Sequence, residues 1–157
     1  MTGTHARPDV AAMADASSTT LDPAEIAKFA ALAKHWWDPD GPFRALHRLN
    51  PVRLQFIRDQ VGRETERKAL AGLTALDLGC GGGLVAVPLA RMGASVTAVD
   101  AGEEAIGAAR AYADQAGIEI DFRCATAEAL AEAGVRYDLV TALEIVEHVA
   151  DVGAFLP

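Results

Sequence analysis

The stretch ALDLGCGGGL, residues 75–84, decides the fold. It is an apolar run holding one carboxylate, Asp77, and it ends with glycine at four of the five positions 79–83. The apolar run reads as a buried strand. The glycines read as a tight loop in which the backbone turns sharply and comes close to a ligand. Downstream, strand and helix patterns alternate. TALDLGC (74–80) is a strand, followed by a helix from about Gly83 to Met92. ASVTAVD (94–100) is a second strand, followed by a helix from about Glu103 to Ala116. IEIDFRC (118–124) is a third, with a short helix around Ala127–Ala133. YDLVTAL (137–143) is a fourth, with a helix expected to begin near Glu144. Such alternation predicts an α/β fold of parallel βαβ units in a doubly wound sheet, its first three strands ordered 3-2-1. Ligands of such sheets collect beyond the carboxyl ends of the strands, where the strand order reverses. Those ends are Gly79–Gly83, Asp100, Cys124–Thr126 and Leu143–His148.

Upstream of the glycines the pattern is helical. Asp22, Pro23 and Glu25 form an N-cap, a first-turn proline and a capping-box acid. A helix over about 23–35 follows, with Ile26, Phe29, Ala30 and Ala33 on one side. DPDGP (38–42) is a turn, and Asn50-Pro51 is expected to open a second helix through about Arg67. The division that results is a disordered tail over 1–22, a helical segment or lid over 23–68, and a ligand-binding domain over 69–157. Pro88 stands late in the first turn of its predicted helix, so that helix is expected to start a residue or two later or to kink.

With 51% hydrophobic residues among 157, one domain with a real core is expected. No apolar stretch is long enough for a membrane span: the longest, Leu78–Ala90, is bounded by Asp77 and Arg91 and broken by glycines and Pro88. The first twenty residues lack the apolar core of a secretory signal, and Asp9 and Asp15 argue against a transit peptide, so a cytoplasmic setting is expected. Cys80 and Cys124 have no metal spacing; on strands one and three they would lie roughly 10 Å apart, beyond disulfide reach. The net charge of −8 is unevenly spread. Residues 1–68 hold ten Lys/Arg against nine Asp/Glu, and residues 69–157 hold four against thirteen. An acidic chain of this kind is a poor candidate for nucleic acid. The basic stretch Arg44–Lys68 is either a solvated helix face or a surface for a carboxylate or an anionic membrane.

Which ligand the glycines take depends on their neighbours. A P-loop needs a lysine after the glycines, and none occurs beyond Lys68. A G-x-G-x-x-G fingerprint needs glycine where Leu84 stands. The fit is D-x-G-x-G-x-G: Asp77, Gly79, Gly81, Gly83. Asp100 lies 21 residues after Gly79, the spacing of an acid that accepts hydrogen bonds from ribose hydroxyls. Ribose alone does not separate NAD from S-adenosylmethionine (SAM), but Asp77 does. A carboxylate beneath the loop repels a pyrophosphate, whereas SAM brings only an ammonium and a sulfonium to that place. The competing reading is that Asp77 merely accepts hydrogen bonds from loop amides.

From about Lys28 to Phe155 the chain resembles the class I SAM-dependent methyltransferases with a Rossmann-like sheet, and among them the ubiquinone-biosynthesis O-methyltransferases. KFAALAKHWWDPDGPFRALHRLNPVRLQFI, LDLGCGGG, GASVTAVD and YDLVTALEIVEHV carry the likeness. The most specific parts are Trp36-Trp37-Asp38 and the run Leu46–Arg53. The resemblance implies methylation of a catechol or phenol hydroxyl on a polyprenylated ubiquinone precursor, a lipophilic substrate. It implies SAM contacts at Arg53, Gly79, Asp100 and Leu143; the loop motif adds Asp77, Gly81 and Gly83. Arg53 would pair with the methionine carboxylate, and Leu143 would meet the nucleoside. Family members often carry an acid or amide near Ala125–Thr126 for the adenine; here Thr126 and backbone groups must serve. Peripheral contact with the inner membrane, or with other proteins of ubiquinone synthesis, is a further implication. The family's sheet has seven strands, so a chain ending just after the fourth is expected to be truncated.

LEIVEHV brings a second group. Glu144, Glu147 and His148 stand at i, i+3 and i+4, on one face if the segment is helical. Three readings stay open. The set holds a divalent cation such as Mg²⁺ that acidifies a bound catechol; or His148 takes the phenol proton as general base; or the acids only favour a helix N-terminus. The E-x-x-E-H pattern recurs in the family as a divalent-metal site, which implies the first reading with Glu147 and His148 as catalytic groups. Trp36-Trp37 reads as core or as a lid over SAM, with a membrane-interface contact as the other option.

Overall fold

A computed structural model describes residues 23–61, 68–149 and 153. The chain runs through α1 (Pro23–Leu32), a 3₁₀ turn (Ala33–His35), α2 (Arg44–Val61), β1 (Thr74–Leu78), α3 (Ala86–Arg91), β2 (Ser95–Asp100), α4 (Glu103–Ala116), β3 (Asp121–Cys124), α5 (Ala127–Glu132), β4 (Leu139–Thr141) and a 3₁₀ turn (Val146–His148). The four strands form one parallel sheet in the order β3-β2-β1-β4. The expected order 3-2-1 is therefore present, and the reversal point falls between β1 and β4. The carboxyl end of β1 is the edge of that crevice.

β1 is central because both of its faces are covered: Ala75, Leu76 and Asp77 are all buried. A parallel strand packed on both sides reads as an unbroken apolar run, which is what residues 75–78 show apart from Asp77. The main core joins Ala75, Val87, Leu89, Val96, Ala98, Ile106, Ala109 and Phe122 from strands and helices on either side. α4 contributes small residues, Ala105, Ala109 and Ala113, which let it lie close to the sheet. Its end is fixed by Gly117 in the left-handed region (φ 66), the conformation that favours glycine at a helix stop.

Three expectations change. α2 begins at Arg44, so Pro51 lies inside it instead of opening it. A mid-helix proline withholds an N–H from the His47 carbonyl and normally breaks the helix. Tertiary contacts carry α2 through: the Asn50 amide donates to the Leu84 carbonyl at 2.5 Å, and Ile57 is buried with Leu54 and Val61 against the main core. The continuation of that helix toward Arg67 lies outside the described residues, as do the 1–22 tail and the side chain of the capping acid Glu25. α3 starts at Ala86, so Pro88 is its third residue, consistent with the expected late start. No helix begins at Glu144: that residue adopts φ 56, and the next element among the described residues is a 3₁₀ turn over Val146–His148. β3 and β4 are also shorter than their sequence runs, because their pairing with β2 and β1 spans only Asp121–Cys124 and Leu139–Thr141.

The N-terminal helices lie against the sheet domain. α1 and the following 3₁₀ turn pack on α4, and Trp36, Phe43, Ala33 and Leu84 make a second small core between them and the glycine loop. Among the described residues no helix is long and apolar enough to cross a membrane.

Candidate functional site

The loop after β1 is held from beneath by the sheet. The Cys80 N–H donates to the Val99 carbonyl at 2.9 Å, and the Gly81 N–H donates to Asp100 Oδ2 at 2.8 Å. The other oxygen of Asp100 accepts from the Gly102 N–H at 2.8 Å. The carboxylate expected to meet ribose hydroxyls is thus fixed between two amides. Gly79, Gly81 and Gly83 all have positive φ, at 65, 52 and 86. At Gly79 the restriction is steric as well: a Cβ there would collide with the Ile145 side chain. At Gly82 a Cβ would run into the Trp36 ring.

Asp77 is 3% exposed and lies directly below this loop. Its Oδ1 accepts from the Thr141 hydroxyl at 2.7 Å, a contact set by the β1–β4 register that places Thr141 opposite Asp77. Its Oδ2 is buried with no hydrogen-bond partner. Burial pushes its carboxyl from 3.8 up to about 7; the Thr141 hydroxyl and the Ala86 amide offset part of that, and the nearby Asp100 charge adds to it. A buried carboxylate oxygen lacking a partner is costly, and a cation placed beside it removes that cost. The same burial, with Asp77 and Asp100 near, pushes the Cys80 thiol well up, so it is a poor nucleophile. Cys80 and Cys124 are both free thiols.

Other predicted residues take different places. Thr126 caps α5, its hydroxyl accepting from the Ala129 N–H at 3.3 Å. Leu143 is half-buried against the main core at the end of β4. Arg53 of α2 crosses to the segment after β4 and is ion-paired with Glu144. That pair, together with the bend at Glu144, corrects the expectation of one helical face shared by Glu144, Glu147 and His148. Glu144 faces Arg53, Glu147 is exposed on the 3₁₀ turn, and the side chain of His148 lies outside the described residues. Among the described residues no group of three His, Cys, Asp or Glu side chains is placed to hold a metal ion. The two carboxylates suit Mg²⁺ in chemistry and the imidazole less so; among the described residues Glu144 is taken up by Arg53.

Trp36 and Trp37 land on the glycine loop. Trp36 is 7% exposed and stacks on Phe43 with ring centroids 3.8 Å apart. Trp37 stacks on Tyr112 of α4 at 3.4 Å, and its indole N–H donates to the Gly82 carbonyl at 2.8 Å. His47 bonds the Trp36 carbonyl at 2.9 Å. Of the two places expected for the tryptophans, core or lid, Trp36 takes the core, buried with Ala33, Phe43 and Leu84. The tryptophans' contact with the glycines was not foreseen, nor were Asn50, Thr141 and Ile145. A signal existed for Thr141 alone, since a parallel register sets the end of strand four beside Asp77.

Residues 75–156 match the model of the methyltransferase domain, and the chain belongs to that family. It is 52% identical over 149 residues to the ubiquinone biosynthesis O-methyltransferase of Sinorhizobium medicae (strain WSM419), covering 92% of this chain and 60% of the relative. It is 52% identical over 146 residues to the protein of the same name from Ruegeria pomeroyi (strain ATCC 700808 / DSM 15171 / DSS-3), covering 90% and 59%. The chain therefore spans about 60% of the length of the curated relatives it matches. Among solved structures, magnesium protoporphyrin IX methyltransferase from Synechocystis PCC 6803 with bound SAM has the same fold. Its TM-score is 0.59 at 24% identity, covering 78% of this chain and 58% of that one.

Proposed function

We propose that this chain is the donor-binding part of an O-methyltransferase that moves the methyl group of SAM to the hydroxyl of a polyprenylated catechol or phenol in ubiquinone biosynthesis. Membership of the methyltransferase family supports the reaction class, and the likeness to the named relatives supports the acceptor. The observation that carries the donor is Asp77 Oδ2, buried and unpartnered beneath a glycine loop. It fits a cationic ligand and disfavours a pyrophosphate. When bound, SAM supplies an electrophilic methyl carbon: the acceptor oxygen bonds to it as the C–S bond breaks, the electron pair stays on sulfur, and the phenol proton passes to a base. Asp100, fixed by two amides, would orient the ribose hydroxyls. Asp77 would face the positive end of the donor. Arg53 would hold the donor carboxylate once it leaves Glu144. Thr126, whose hydroxyl accepts at its cap but keeps its proton to donate, would serve the adenine together with backbone groups and Leu143. Positioning is the largest contribution such residues make to an in-line transfer.

The divalent cation belongs to the same proposal. Glu144, Glu147 and His148 are its candidate donors, and the Arg53–Glu144 pair must open before they can gather. Calorimetric titration with SAM, S-adenosylhomocysteine and NADH tests the donor: SAM binding is expected, and NADH binding without SAM binding overturns the reading. Mg²⁺ titrated into the SAM-loaded chain tests the cation, and equal heats from the chain and its Glu147→Gln variant would remove it.

The acceptor's lipid tail points to a membrane surface as partner. Leu49, Val52 and Phe56 stand 49%, 69% and 66% exposed on one face of α2, at spacings of three and four. Arg44, Arg48 and Arg58 run along the same helix. An apolar stripe with Arg48 at its edge, on a helix rich in arginine, suits an anionic bilayer.

A further inference from the structure

We propose that Trp37 and Asn50 are positioning residues for the donor site, holding the glycine loop in its binding conformation from the N-terminal side. The inference rests on the SAM-binding reading above.

Most of the loop's hydrogen bonds lie within the sheet domain, and two come from the N-terminal segment. The Cys80, Gly81 and Gly83 amides are tied to Val99, Asp100 and Cys80, all within the sheet domain. Two carbonyls, those of Gly82 and Leu84, instead accept from the N-terminal segment: Gly82 from Trp37 Nε1 at 2.8 Å, and Leu84 from Asn50 Nδ2 at 2.5 Å. These carbonyls flank Gly83, whose φ is 86. The Trp37 donor fixes the peptide plane that enters Gly83, and the Asn50 donor fixes the plane that leaves Leu84, so the glycine is bracketed by two held peptides. Its own N–H is thereby held on the Cys80 carbonyl at 2.9 Å.

The donors are themselves immobilised. The Trp37 indole lies flat on Tyr112, at 3° between ring planes, so its N–H has little freedom to turn away. Asn50 precedes Pro51 within α2 and is carried by that helix. The strap therefore joins α2, the glycine loop and α4. A run with four glycines in five positions has more conformational freedom to lose than any other segment of this length. Prepaying that loss before ligand arrives is how a binding loop gains affinity without touching the ligand.

The test compares SAM affinity in the full 157-residue chain, in Trp37→Phe and in Asn50→Ala, by calorimetry well below the melting temperature, with thermal melts alongside. Trp37→Phe keeps a six-membered ring to stack on Tyr112 and removes the N–H donor with the five-membered ring that carries it. Each variant is expected to weaken SAM by about three- to tenfold, the scale of one lost hydrogen bond. Because both clamp one loop, the double variant is expected to lose less than the product of the two. A merely structural role would lower the melting temperature and leave the affinity of the folded protein unchanged. Equal affinities in the chain and both variants overturn the inference while leaving the donor reading intact. Variants that are unfolded at the measuring temperature overturn it too, since the donors then serve the fold. A chain that binds no SAM at all overturns the donor reading, and this inference with it.

Discussion

Asp77 is the residue at which folding and binding pull against each other. Its carboxyl stands near 7 in the fold against an ordinary 3.8, because burial opposes its charge. Below about pH 4 the group is protonated in both folded and unfolded chain and costs nothing. As pH climbs toward 7 the unfolded chain ionises first, so this group's contribution to stability is lost across that interval, on the order of 4 kcal/mol. Binding has the opposite slope. A cationic donor favours the ionised form, so affinity for SAM is expected to fall as pH drops below about 7, with protons released on binding. Calorimetry in buffers of different ionisation heat measures both effects. Asp77→Asn is expected to bind SAM more weakly at pH 8 and to lose most of the pH dependence. A variant that keeps the full dependence would show that another group is responsible.

α2 shows most plainly how far an element can be read from sequence. Asn50-Pro51 has the local chemistry of a helix start, and the helix nonetheless begins at Arg44. What overrides it is long-range, the Asn50–Leu84 bond and the burial of Ile57, and no local pattern encodes either. Pro51→Ala restores the missing helical N–H and is expected to stabilise the chain by about 1–3 kcal/mol, offset in part by the extra freedom of the unfolded state. Thermal melts at fixed pH check this; an unchanged or lower melting temperature would mean the helix is already adapted to its proline. By contrast, α4 matches its sequence bounds at both ends, because Glu103 and Glu104 in its first turn and Gly117 at its stop are local signals. The strands and the glycine loop were legible for the same reason, and so were Asp77 and Asp100. The segment after β4 was not. Glu144, Glu147 and His148 have helical spacing, but Glu144 is drawn to Arg53, 91 residues away, and turns to φ 56. The tryptophans' seat on the loop was hidden likewise, 45 residues from Gly82 in sequence.

Across the whole molecule, charge and apolar surface are segregated. The chain carries −8 overall, yet α2 holds four arginines against the single acid Asp59 and presents Leu49, Val52 and Phe56 to solvent. If that face meets an anionic bilayer, the chain should co-sediment with vesicles containing phosphatidylglycerol and less so with pure phosphatidylcholine. Added salt should weaken the association. Phe56→Asp is expected to remove most of it without disturbing SAM affinity, since Phe56 lies on the face away from the core. Equal sedimentation of both proteins would assign the face to some other contact.

The chain's two tryptophans, Trp36 and Trp37, both rest against the same four-glycine turn. Its ultraviolet emission is therefore a local gauge: light excited near 295 nm reports on the strap and the loop beneath it, and on nothing else in the molecule. Circular dichroism, in contrast, averages over every helix. Followed together through a denaturant titration, the two signals coincide if the strap and sheet melt as one unit, and separate if the strap lifts first. The placement of two indole rings thus makes the order of unfolding visible with no label attached.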